Sequence, residues 1–128
     1  MTDPSEIVYL ELDQVKRIIE RITGSVHAVR DWGLVASAVE RPRTDVFGVE
    51  AYPTLVTKTA ALLHSLVRNH ALVDGNKRTA WTSAQLMLYL NGIDMAVSVE
   101  DAVPFVEAVA RGELEVDEIA KQFQRWSG

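Results

Sequence analysis

Leu12, Val15, Ile18, Ile19 and Ile22 recur at steps of three and four, with Lys16, Arg17 and Glu20 on the other side. That spacing predicts an amphipathic helix, and Gly24 is well placed to stop it. Asp31 predicts the N-cap of a second helix running to about Val39 and ended by Pro42. A third is predicted from near Pro53 to about Asn69. Leu55, Leu62, Leu63, Leu66 and Val67 form its core stripe, while Lys58, Ser65 and Arg68 stay wet. A fourth runs from about Asn76 to Tyr89, with Asn91 and Gly92 as its stop signal. Ala80, Trp81, Ala84, Leu86, Met87, Leu88 and Leu90 leave it one polar strip, Arg78, Thr82, Gln85 and Tyr89, so it is expected to be the central, mostly buried helix. Two further helices are predicted near 100–110, with Pro104 in about the first turn, and 116–125. Segments 7–10 and 95–99 are short strand candidates that pair as a minor sheet at most. Segment 41–52 mixes Pro, Gly, charge and aromatics and reads as an ordered surface loop. The expected fold is all-α or nearly so.

Composition narrows the class. The 128 residues are 48% apolar and 24% charged, enough for a buried core, and no repeat or linker divides them. A single domain over 1–128 is expected. There is no cysteine, which removes disulfides, thiolate zinc sites and cysteine nucleophiles and suits a reducing cytoplasm. No apolar run reaches the ~18–20 residues of a membrane helix. The opening MTDPSEIVYLELD lacks the basic and apolar segments of a signal peptide. A net charge of −5 makes the chain a poor candidate for wrapping DNA or coating a membrane by itself. One short basic island, Arg68, Lys77 and Arg78 against Asp74, interrupts that acidity and can concentrate an anion; chance placement explains it equally well.

The island contains the informative stretch, HALVDGNKRTAW over 70–81. Gly75 permits the backbone angles of a tight anion-binding loop, and Asn76 can cap the helix that follows. Unpaired N–H groups of a helix's first turn make a ready phosphate site. Lys77 and Arg78 place positive charge at the positive end of the helix dipole, at a cost of roughly 0.3–1 kcal/mol each when exposed. A bound polyanion reverses that sign; without one they are two solvated bases. His70 can take a proton from a hydroxyl at neutral pH, and Asp74 beside a phosphate chain is a handle for Mg²⁺. Taken singly, a histidine at His70 is more often a helix-end residue bonded to backbone, and an aspartate at Asp74 more often a turn residue. Arg78 and Thr82 can face the same pocket as His70. A zinc site is the weaker reading, since no third ligand is evident. Walker A, G-x-G-x-x-G and serine-elbow signatures are missing. His64 and His27 read as surface residues, and Trp32, Trp81 and Trp126 as core or partial core.

HALVDGNKRTAW resembles the signature of the Fic/Doc family, in the variant of its Doc (death-on-curing) branch that ends N-K-R. VRDWGLVASAVERP, YPTLVTKTAALLHSLVRNH and SAQLMLYLNGIDM share the family's look, so the resemblance covers roughly residues 8–125. It implies a helical bundle that holds ATP and Mg²⁺ at this loop. His70 would be the general base and Asp74 the Mg²⁺ ligand. Gly75, Asn76, Lys77 and Arg78 would bind phosphate, with Thr82 where the branch has a phosphate-contacting asparagine. The implied activity is a toxin kinase of a toxin–antitoxin module, moving the γ-phosphate to a threonine of translation elongation factor Tu. A Phd-like antitoxin would lay its C-terminal segment in a groove and carry any contact with nucleic acid. AMP transfer by the same loop, or a non-catalytic antitoxin-binding role, are the alternatives. Lys77 stands where the AMP-transferring branch has a second glycine, Trp81 where it has a second arginine, and Leu72 where the family has Phe. By the same resemblance, segment 41–52 corresponds to a flap that docks the target strand; a plain connection is equally open. The glutamate-led inhibitory motif of self-restrained Fic proteins is missing, since no glutamate precedes Gly or Asn.

Overall fold

A computed structural model describes residues 6–128; the first five residues of the acidic opening stretch lie outside them. Six helices account for most of the described chain: α1 (Leu12–Thr23), α2 (Trp32–Glu40), α3 (Leu55–Arg68), α4 (Asn76–Leu90), α5 (Val99–Ala110) and α6 (Val116–Trp126). The one sheet among the described residues is a hairpin of two-residue strands, β1 (Asp45–Val46) and β2 (Val49–Glu50), with Asp45 opposite Glu50 and Val46 opposite Val49. The mostly helical expectation holds.

Local chemistry sets the ends. The Glu11 carboxylate and Gln14 amide close a reciprocal capping box on α1, and Gly24 ends it at φ 84°. The Asp31 carboxylate accepts from the Gly33 and Leu34 N–H groups and starts α2 as expected. Helix α3 begins two residues after Pro53, because Thr54 and Thr57 cap it reciprocally. Pro104 lies inside α5, beyond its first turn, where its exposure leaves the unpaired carbonyl one turn back open to water.

The central helix is α3, not α4. Buried residues occupy it almost all round, and it packs against α2, α4, α5 and α6. Helix α4 keeps the expected wet strip of Arg78, Thr82, Gln85 and Tyr89. Trp81 on α4 meets Phe105, Phe123 and Trp126 at ring-centroid distances of 5.9–6.3 Å, tying α4, α5 and α6 together. Trp32, by contrast, is exposed.

Neither expected strand forms. Both backbone groups of Val8 pair with the Asn91 side chain at 2.8 Å, which leaves nothing for a ladder there. Segment 95–98 is irregular and leads into the Ser98 cap of α5. The hairpin appears instead within 41–52, the segment expected to be an ordered surface loop. Its tip carries exposed Val46, Phe47 and Val49, with Phe47 at φ 52°.

Of the three α3 residues expected to stay wet, Arg68 is exposed, but Lys58 and Ser65 are buried. Lys58 is fully enclosed and sends its ammonium to Glu50 Oε1 at 2.9 Å and Pro42 O at 3.4 Å, anchoring the hairpin's base. Ser65 is buried as well, and His64 is no surface residue. Arg41 donates to His64 Nδ1 at 2.9 Å, to Ser65 Oγ at 2.9 Å and, through Nε, to the Tyr52 hydroxyl at 2.9 Å. Since Arg41 can only donate, the His64 proton sits on Nε2, 3.3 Å from Glu115. Burial first, then the Arg41 charge, lowers the His64 pKa against the opposing pull of Glu115.

Glu50→Gln removes the counter-charge and leaves the buried Lys58 ammonium with neutral acceptors only, the Gln amide oxygen and Pro42 O. We expect it to cost about 1–3 kcal/mol, toward the lower end because Glu50 is 42% exposed. Lys58→Met, which removes the charge and keeps the stem, should cost less than about 1.5 kcal/mol. Urea midpoints of the two variants check this, and equal losses would contradict it.

Candidate active site

The site is the connection between α3 and α4. Helix α3 ends at Arg68, and Asn69 donates from Nδ2 to the Leu34 carbonyl at 3.3 Å. His70 follows, exposed, at φ 50°. Ala71 and Leu72 then turn inward and are buried. Leu72 therefore supplies the core anchor at the position where the family pattern has Phe. It also forms an antiparallel bridge with Val29, flanked by Arg30 N–H to Ala71 O at 2.7 Å and Val73 N–H to Ala28 O at 2.8 Å.

Asn76 does not cap α4 in the expected way. Gly75 is the N-cap, in the left-handed region at φ 84°, and Asn76 is the first helical residue. The Asn76 side chain reaches back to accept from Leu72 N–H at 3.0 Å and donate to Leu72 O at 2.9 Å. That bracket closes the loop on itself. At Gly75 a Cβ would lie 3.1 Å from Thr23 Cγ2 and 3.3 Å from Ile22 Cγ2, so conformation and close packing on α1 both call for glycine.

The first intrahelical bond of α4 runs from Thr79 N–H to Gly75 O. The N–H groups of Asn76, Lys77 and Arg78 precede it and belong to the open, positive end of the helix. Beside them is a cavity of about 300 Å³ whose lining includes His70, Asp74, Gly75, Asn76, Lys77 and Arg78, with Val67, Val73 and Ala110 as apolar wall. Six of the seven residues singled out in the sequence thus share one cavity. Thr82, one turn further along α4, is exposed and does not line it.

The basic island divides. Lys77 and Arg78 stay exposed at the cavity, whereas Arg68 lies with Nη1 3.5 Å from Val109 O and 3.4 Å from Ala110 O. A cation there complements the negative end of α5 and holds the helix whose last residue walls the cavity. Lys77, Arg78 and Trp81 also line a second cleft of about 220 Å³ against Ala102, Val103, Val106 and Glu107 of α5.

Asp74 is the one carboxylate in the cavity lining, and it is exposed. No cluster of three or more His, Asp or Glu residues able to hold a metal occurs among the described residues. One carboxylate suits a cation that arrives with phosphate oxygens as its remaining ligands, the usual habit of Mg²⁺. Chemically the arrangement offers a histidine, a carboxylate, two cations and three backbone donors around one anion-sized space.

Arg30 and its neighbours were not evident in the sequence as part of this site. The pairing of 28–31 with 71–73 joins residues about forty positions apart, and no local pattern announces it.

The chain belongs to the Fic/DOC family, whose model matches residues 6–88, from before α1 through most of α4. Within that family its likeness is to Doc. It is 46% identical over 116 residues to Toxin Doc of Mycolicibacterium smegmatis, with 89% of each chain covered. It is 31% identical over 125 residues to Protein kinase doc of Escherichia phage P1, covering 98% of this chain and 94% of that one.

Proposed function

We propose that this chain is a Doc-type toxin, a cytoplasmic protein kinase that moves the γ-phosphate of ATP to a threonine of translation elongation factor Tu and so arrests translation. The carrying observation is the grouping of His70, Asp74 and the basic N-terminus of α4 around one cavity. The likeness to a toxin and to a protein kinase supports the reading.

In this mechanism the backbone donors of Asn76, Lys77 and Arg78, with the two side-chain cations, hold the phosphates and stabilise charge on them. Asp74 would hold Mg²⁺, which when bound supplies charge neutralisation on the phosphate oxygens. His70 takes the threonine hydroxyl proton. The threonine oxygen bonds to the γ-phosphorus, the bond from that phosphorus to the β–γ bridging oxygen breaks, and ADP leaves with the electron pair. Restraint comes in trans from a Phd-like antitoxin whose C-terminal segment occupies a groove, and contact with nucleic acid belongs to that partner.

Incubating the purified protein with elongation factor Tu and ATP labelled at the α or γ position tests this. Label from γ alone, with a mass gain of one phosphate, is the expected result. Label from α, with a mass gain of one AMP, would establish nucleotidyl transfer instead. No label with either, from protein that arrests growth, would sink both enzymatic readings of this target.

A further inference from the structure

Three consecutive carbonyls of the site loop face one residue of a distant segment. Arg30 donates its backbone N–H to Ala71 O at 2.7 Å and its Nη2 to Leu72 O at 3.1 Å, and the same nitrogen lies 3.5 Å from His70 O. Arg30 directly follows Val29, the bridge partner of Leu72, so its main chain and side chain grip the loop from one side. Arg30 is not part of the cavity lining, which separates it from the phosphate-binding groups.

His70 sits at φ 50° without being glycine. Side chains crowd their own backbone in that region, and such conformations persist only where the surroundings over-determine them. Asn76 and the 28–31 segment fix the peptides at 71–73. Between those peptides and the imidazole stand the pair of backbone torsions at His70, which aim its Cα–Cβ bond, and the two torsions of the side chain itself. The Arg30 side chain is the one that reaches the His70 carbonyl among the described residues. A planar guanidinium can direct two N–H bonds from one nitrogen at neighbouring carbonyls, whereas an ammonium does not fix such a plane.

We propose that Arg30 is a positioning residue for the His70 base. Its guanidinium holds the peptide plane after His70 and with it the direction in which the Cα–Cβ bond carries the imidazole toward the cavity. This rests on the assignment of His70 as general base made above. Misplacing a reacting group by ~1 Å can cost about 10²-fold in rate, so loosened backbone torsions at His70 are felt in turnover and not in nucleotide affinity.

The test compares wild type, Arg30→Met, Arg30→Lys, His70→Ala and the double variant Arg30→Met/His70→Ala, each shown to be folded at the assay temperature. Arg30→Met is expected to lower kcat about tenfold or more, with KM for ATP within about twofold of wild type, and Arg30→Lys to recover part of the loss. On the His70→Ala background, Arg30→Met should lower the residual transfer no further, because its effect passes through the imidazole. Backbone NMR shifts of His70 in Arg30→Met should leave the left-handed pattern expected of wild type from its φ of 50°. A rise in KM alone would assign Arg30 to the nucleotide and overturn the proposal, as would an equal fall on both backgrounds. If wild type transfers no phosphate, the kinase reading fails while the His70 shifts still decide Arg30. Displaced shifts then support the positioning role, and unchanged shifts overturn it.

Discussion

His70→Ala should lose about 10²–10⁴-fold in phosphate transfer, the usual contribution of a positioned base. A threonine hydroxyl is a weak nucleophile, and within the cavity His70 is the one imidazole available to accept its proton. The fold should survive. His70 is exposed, its backbone carbonyl remains for Arg30, and alanine meets the same restriction at φ 50° that histidine already bears. Expression without an antitoxin should then be harmless, and the purified variant should melt near wild type. Growth arrest equal to that of wild type, from folded variant, would show that some other group takes the proton.

The second large effect concerns which phosphate reacts. Lys77 sits in the first turn of α4 and lines both the loop cavity and the apolar cleft beside it. At the corresponding place the AMP-transferring branch has glycine, which leaves room for phosphates to lie deep and present the α-phosphate. A lysine adds a four-carbon stem and a charge there, and the resemblance to the Doc branch implies that the nucleotide binds reversed, with the γ-phosphate nearest His70. Lys77→Gly should therefore lose γ transfer by about 10–100-fold, the worth of one charged hydrogen bond. A trace of α transfer should appear and stay small. Trp81, where the second arginine of the AMP-transferring signature stands, packs against Phe105, Phe123 and Trp126 and supplies no cation. Parallel assays with α- and γ-labelled ATP decide it, and undiminished γ transfer by the variant would overturn the orientation.

Much of this was readable in the chain because the relevant signals are local. Apolar spacing places α1, α3 and α4, Asp31 and Gly24 mark ends, and the seven residues from Asn69 to Gly75 form a short loop between two of those helices. What escaped was tertiary. Lys58 looks like a solvated lysine until Glu50 and Pro42 close over it, and His64 until Arg41 and Glu115 flank it. Strand propensity at 7–10 lost to the Asn91 side chain, more than eighty residues away. The hairpin arose where Gly48 at φ 81° and the Asp45 carboxylate, accepting from Gly48 N–H, make a tight turn out of an irregular composition. Asparagine often caps helices, which is what Asn76 suggests from sequence alone. Its side chain bonds one turn backward instead, since Gly75 already supplies the turn.

That backward bond makes the anion loop a cradle assembled before any anion arrives. With Leu72 bracketed by Asn76 and bridged to Val29, nucleotide binding freezes few backbone torsions and forfeits little conformational entropy. A cradle that is always ready cannot easily be switched off by melting it, because unmaking the loop means breaking its seam with residues 28–31. Effective silencing must then work by standing in the way. An inhibitor of this chain is best built as a plug over the His70 cavity, and its potency should follow how completely it occludes that space.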